Sequence, residues 1–474
     1  MTNGVQISAW EDDPGNGVPG DGVRVTRPAP DVGRAPLAFS FPAPAPAAAV
    51  YQPGTPEFRY WTAAEALRRG ADFWAALVPL TRWHIGDVLP VLLDEGEDLN
   101  AYYDRQALNF FHGDSPDGTV YSGESPDIIC HEMGHAILDT IKPQLWGAAS
   151  HETAAFHESF ADISGILSAL QLPSLRTAIL ADTRGQIYRA SRLSRLAEQL
   201  GAAIRAVQPD AVESDCLRNA VNSFTYEDPV DLPPGAPASQ LSSEAHSFSR
   251  LFTGAAFEIL GGLLNAQAAG GAPTEAQLLA VGNDLGRILV DAVKAAAVVP
   301  NWYAQVAAGM VQTSAAVNPA YPPIVKAVFV RRGILSLHSA AQAPKFANAV
   351  NLANAVGVVA AAAPSPSLGV HLALPAEHYG LDEPLLVEPA AQQRPFMAMS
   401  AAGDATSLQP ASSSRAATSY VDDLFRRGRV DYAGQGKPEH QLNHGRRLRS
   451  HRVVKDHEGL KLQRVLFDCG LCCR

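Results

Sequence analysis

Cysteine is scarce in this chain. There are five in 474 residues, three of them among the last six, so no disulfide framework holds the fold together. Long apolar runs are missing as well, and no uninterrupted stretch is long enough to span a bilayer, so no membrane partner is expected. The first twenty residues have neither a basic flank nor an apolar segment, and the stretch carries Glu11, Asp12 and Asp13, so it does not read as a secretory signal. A cytoplasmic location is expected on that ground, with export by a route not written as an N-terminal signal as the alternative. An excess of positive charge is also absent: the net charge of −11 argues against broad nucleic-acid binding.

What is present is the composition of a soluble globular protein, 47% apolar and 18% charged. A chain this long exceeds one compact core and should hold two or three folding units. Residues 1–57, rich in Pro, Gly and Ala, read as an extended leader with little core of its own. A helix is expected over 62–77, capped by Thr62 with Glu65 three residues on, and Trp61, Phe73 and Trp74 read as core. Short strand-like runs follow at 88–93, 100–103 and 107–111, closed by a turn over 112–118. Residues 58–142 thus form an α/β lobe. That lobe ends in a helix over 125–141, and helical periodicity dominates 143–345, with helices over 151–170, 248–264 and 274–297. Residues 346–370 read as a linker, and 371–474 as an extension with strand-like runs near Leu386 and over 452–454 and 460–467. Arginines 426, 427, 429, 446, 447, 449 and 452 make that extension locally basic, which reads as a solvated face.

The stretch Cys130-His131-Glu132-Met133-Gly134-His135-Ala136 carries the chemistry. On a helix His131 and His135 lie one turn apart on one face, so both imidazoles can reach one metal ion. A catalytic zinc usually takes three protein ligands and leaves a position for water, and Glu132 is placed to take a proton from that water. Glu158 is the best candidate for the third ligand, and Asp162, one turn beyond it, would accept the free ring N–H of a ligand histidine. Two imidazoles and a carboxylate suit zinc best, one per chain, though cobalt or manganese would bind the same set. Cys130 precedes the first ligand and reads as packing. The motif alone also fits an amphipathic helix with two half-buried histidines.

Asn100-Ala101-Tyr102-Tyr103-Asp104, then Phe111-His112-Gly113-Asp114, then the His131 to His135 motif with Glu158 and Asp162, resemble in order and spacing the thermolysin-like zinc endopeptidases, the gluzincins. Glu244-Ala245-His246-Ser247-Phe248-Ser249 resembles that family's segment with a histidine just before a helix. The resemblance covers roughly residues 58–340. It implies an α+β fold, a two-lobe zincin with an edge strand in its first lobe, here followed by the β-containing extension. It also implies a zinc-dependent endopeptidase acting on peptide or protein substrates. His131, His135 and Glu158 would bind zinc, Glu132 would be the general base, and His246 would hydrogen-bond the oxyanion. Asn100 and Ala101 would bind an extended peptide along the edge strand, and Arg218 would lie beneath the primed-side subsite.

Departures from the family pattern are visible too. Trp146 falls near the family's oxyanion tyrosine and has no hydroxyl. The acidic partner of the downstream histidine is not at its usual place, and the substitute the sequence offers is Glu244, only two residues away. His157 stands where the family favours asparagine and reads equally as a neighbour of the ligands or as solvated. Asp127 matches one calcium ligand, but Ala169 stands near another and the surrounding acidic cluster is missing, so no calcium site is expected. An intracellular endopeptidase implies restricted substrates or low intrinsic activity; the leader or the C-terminal region could cover the cleft, though no residue in the sequence shows it. Cys469, Cys472 and Cys473 read as free thiols on a frayed tail. Two other classes stay open: an inactive zinc-binding scaffold, and a helical interaction protein whose motif is accidental. The sequence leaves the oligomeric state open.

Overall fold

The computed structural model describes residues 5–15, 17, 22–336, 371–391, 412–432 and 448–470. The expected linker, Arg446, Arg447, Cys472 and Cys473 lie outside the described residues.

The first 57 residues contribute more than a leader. Gln6–Trp10 (β1) pairs antiparallel with Arg24–Pro28 (β2) and buries Ile7 and Ala9 against Tyr60, Trp61 and Ala64. Glu11 and Asp12 are buried on the Arg192 guanidinium, at 2.9 and 2.7 Å, and Ala38–Ser40 (β3) enters the principal sheet. The proline and glycine between these short apolar clusters dominate the composition and hide them. The first helix, Pro56–Leu77 (α1), starts earlier than expected. Thr55 caps it by accepting from the Phe58 N–H, and Pro56 sits in the first turn, where its missing N–H is no loss. Thr62 is instead buried, its hydroxyl accepting from the Trp10 N–H at 3.3 Å.

Val88–Leu92 (β4), Ala101–Tyr103 (β5) and Leu108–Phe110 (β6) follow as short, mostly buried strands. The expected turn over 112–118 is the hairpin His112–Ser115 (β7) and Gly118–Tyr121 (β8). Pro126–Ile141 (α2) starts at a Ser125 cap, and His151–Ala169 (α3) is buried along its whole length. After Pro173–Asp182 (α4), Arg195–Leu196 (β9), Glu198–Val207 (α5) and Arg218–Asn219 (β10), four helices complete the core: Ala245–Ala268 (α6), Glu275–Ala295 (α7), Trp302–Val317 (α8) and Tyr321–Arg331 (α9). Thr274 and Gln277 form a capping box at the start of α7. No single helix among the described residues is long and apolar enough to cross a membrane.

The extension holds Leu372–Leu374 (β11), Leu385–Val387 (β12), Ser413–Arg426 (α10), Val430–Asp431 (β13), His451–Asp456 (β14), Gly459–Arg464 (β15) and Phe467–Asp468 (β16). The strands β11 to β15 form one sheet in the order β11-β12-β15-β14-β13, packed on α10 through Leu385, Val421, Leu424 and Leu460. This unit docks on the start of α3, where Ala149 and Ala154 join its core and His151 pairs with Asp423 at 3.0 Å. The arginines are not one solvated face. Arg426 and Arg452 are exposed, but Arg429 is buried because Asp468 supplies its counter-charge. The last strand leaves the extension: β16 pairs antiparallel with β5, giving a second sheet in the order β16-β5-β6-β4-β3. The fold among the described residues is α+β.

Helices α2 and α3 meet at Gly134. A methyl group there would lie 2.8 Å from both the Ala161 Cα and the Ser164 Cβ, so only glycine allows the contact. Farther along, the buried Glu152 on α3 accepts from the Tyr226 hydroxyl and the Tyr303 N–H, each at 2.6 Å. Burial pushes its carboxyl up to about 8.

Gly134→Ala should destabilise the chain by about 1–3 kcal/mol through overpacking, read from the denaturant midpoint. The folded pKa of Glu152 lies above its unfolded value of 4.5, so its contribution is full below that value and is lost as pH rises toward about 8. The difference in midpoint between wild type and Glu152→Gln should therefore move in favour of the variant from pH 5 to pH 8 and then level off.

Candidate active site

The α2–α3 contact brings the expected ligand atoms to one point. Glu158 Oε2 lies 3.2 Å from His131 Nε2 and 3.6 Å from His135 Nε2, and the two rings stand perpendicular with centroids 4.8 Å apart. Donors around a tetrahedral zinc at about 2.0–2.1 Å stand roughly 3.3–3.4 Å from one another, so this spacing fits the ion. Both Nε2 atoms, Glu158 Oε2 and both Glu132 oxygens are buried and form no aligned hydrogen bond. Each such orphan costs about 1–3 kcal/mol unless a cation or water satisfies it. Five converging orphans therefore match a divalent ion and the water that Glu132 would hold. Burial raises the Glu132 carboxyl to about 8, with Glu158 adding to the rise and His131 opposing it.

Asp162 sits where the sequence reading puts it, its Oδ1 3.0 Å from His131 Nδ1. Burial alone would raise its pKa, but Arg218 and His131 hold it well below the usual carboxylate range. Arg218 donates to Asp162 Oδ1 at 2.8 Å and is itself held charged by that partner against burial. Arg218 thus neutralises Asp162 behind His131. Burial and then Asp162 and Glu158 act oppositely on His131, and the carboxylates win, pushing it up to about 9. The same pair of carboxylates would favour a cation on its other nitrogen.

His157 is not solvated. It is fully buried, with Nδ1 3.1 Å from His135 Nδ1. Burial, then neighbouring positive groups, push both rings well below their ordinary pKa, so both are neutral. One ring must then donate and the other accept. For His135 to offer a lone pair at Nε2, it must carry its proton on Nδ1 and donate to His157.

His246, at the start of α6, faces the same point. Its Nε2 is 3.3 Å from Glu158 Oε2, and its Nδ1 is 2.8 Å from Glu244 Oε1. The close sequence spacing of Glu244 is no obstacle, because Glu244 is the N-cap of α6 and turns back onto the ring while accepting from the Ser247 N–H. Burial raises the Glu244 pKa, but His246 and Arg427 outweigh it and hold the carboxyl well below its ordinary value. Trp146 supplies no hydroxyl; its indole N–H donates to the Arg464 carbonyl at 3.2 Å.

Asn100 and Ala101 line the edge of β5 and both are occupied. The Ala101 carbonyl accepts from the Cys469 N–H at 3.0 Å, and Asn100 Oδ1 accepts from the Gly470 N–H at 2.7 Å. His246 Nε2 donates to the Asp468 carbonyl. Cys469 is accordingly not on a frayed tail but buried, lining a small cavity with His131, Asp162 and Arg218. Beyond Gly470 a cavity of about 430 Å3 opens between Val212, Leu217, Arg218 and Arg250. The sequence reading missed Phe467 and Asp468 as parts of this site. Their one signal was the apolar, Asp-containing run before the cysteines.

Asp127 does have acidic neighbours. Oxygens of Asp13, Asp127 and Glu198 lie within 4.8 Å of one another, and burial, then the other carboxylates, push Asp127 and Glu198 well up. Asp13 comes from the N-terminal segment, so sequence spacing could not reveal the cluster.

If His157 works as the acceptor for His135, His157→Asn should keep zinc affinity near wild type, whereas His157→Leu should weaken it about 10-fold or more. Competition with a chromophoric chelator reads both. No protein-family model matches the chain, and no curated protein sequence matches it.

Proposed function

We propose that the chain is a zinc-dependent endopeptidase with a thermolysin-like two-lobe plan, in which His131, His135 and Glu158 hold one zinc ion. The observation that carries this reading is the convergence of their three donor atoms, 3.2 and 3.6 Å apart where measured, beside the unsatisfied Glu132 carboxylate. Zinc would supply Lewis-acid chemistry there, polarising a peptide carbonyl and making water acidic enough to yield a nucleophile.

The chain's own groups would do the rest. Glu132 takes the proton of the attacking water and delivers it to the leaving nitrogen. His246, oriented by Glu244, donates to the oxygen on which negative charge develops, a bond stronger in the transition state than in the ground state. Asn100 Oδ1 and the Ala101 carbonyl accept peptide N–H groups, aligning an extended substrate with β5. Asp162 fixes the His131 tautomer, and Arg218 keeps Asp162 ionised. A zinc-binding scaffold without turnover is the second reading, favoured by Trp146, whose only donor is already bonded to Arg464.

Glu132→Gln separates the two. It should leave one zinc per chain while lowering cleavage of a quenched fluorescent peptide about 10²–10⁴-fold. Equal cleavage by both forms would remove Glu132 from the mechanism. Stoichiometric zinc without cleavage in either form would favour the scaffold.

A further inference from the structure

The C-terminal segment lies in the cleft as a peptide would. Phe467 and Asp468 pair antiparallel with Tyr103 and Tyr102, adding a strand to the edge of β5. The next two N–H groups go to the Ala101 carbonyl and Asn100 Oδ1, and the Asp468 carbonyl goes to His246. Every group assigned to hold a substrate backbone is thus used by this chain's own backbone.

The side chains anchor the segment. Phe467 stacks on His157 and His135 at 4.0 and 5.0 Å between centroids, and the Arg464 guanidinium covers it at 4.0 Å. Asp468 pairs with the buried Arg429. Cys469 lines a small cavity together with His131, Asp162 and Arg218. A segment held at once by the β5 edge, His246 and Arg429 closes the cleft to another peptide.

We infer that residues Phe467–Gly470 are a built-in latch, seated in the substrate's place along β5, and that the chain cleaves peptides only when this segment leaves. The inference rests on the peptidase reading of the same cleft. The latch is joined to the α10 unit through Arg429, so a partner or a cut that disturbs that unit would release it.

The test uses the zinc-loaded full chain, with hydrogen exchange at the Cys469 and Gly470 amides read beside cleavage of a quenched fluorescent peptide. Both amides should exchange slowly at rest, and excess dipeptide hydroxamate, which competes for the cleft, should speed both. Arg429→Gln, and independently Asp468→Asn, should speed both and raise kcat/KM about tenfold or more by shifting the seated population. If the hydroxamate raises the melting temperature while both amides stay protected, the segment is not in the peptide site and the inference fails. It fails as well if either variant frees the amides while kcat/KM stays at a measurable resting value. Freed amides with zinc bound and no cleavage in any form would overturn the peptidase reading, and the latch with it.

Discussion

The contact of α2 with α3 at Gly134 is what the rest of the site depends on. Two helices normally run about 8–10 Å apart, at a distance set by the side chains between them. Here the backbone of one meets the Ala161 Cα and Ser164 of the other, which lets the short Glu158 side chain reach both imidazoles of α2. Packing on the far side keeps that distance fixed: Trp74 stacks on Phe160 at 5.0 Å and donates its N–H to Ser164 at 2.8 Å.

So close a contact buries charge, and three of the buried carboxylates have cationic partners. Asp162 has Arg218 and His131; Glu244 has His246 and Arg427; Asp468 has Arg429. Removing one member of such a pair leaves an uncompensated charge in a medium of low polarisability, which is more costly than losing the pair whole. The Nε2 atoms of His131 and His135 and the Glu132 carboxylate, which form no hydrogen bond, gather at one place. Stability and candidate chemistry are separated by that difference.

The edge of β5 poses a second constraint. An exposed edge strand presents unpaired N–H and C=O groups that invite another strand. In this chain β16 covers it, and the covering strand arrives from 364 residues away along the chain, counting from Tyr103 to Phe467. A surface suited to binding a peptide is for the same reason suited to binding the chain's own end.

Local patterns made the helices legible. The cap and proline at Ser125-Pro126, the Pro143 after Ile141 and the Thr274 capping box place α2 and α7 within a residue or two, because caps satisfy backbone groups locally. His131, Glu132 and His135 were legible for the same reason, their geometry being that of one helical turn. Thr62 misled because its hydroxyl was wanted by Trp10, a partner 52 residues away. Asp13 beside Asp127, Arg429 beside Asp468 and Gly470 beside Asn100 are likewise pairings between distant segments. By itself the sequence determined the helical motif and the spacing of His131, Glu132 and His135 on it, since these depend on neighbours a few residues apart. Only the tertiary structure decided that Glu158 meets both histidines, that His157 is buried against His135 and that the C-terminal strand lies in the cleft. Those depend on which distant surfaces pack together, and spacing along the chain carries no record of that.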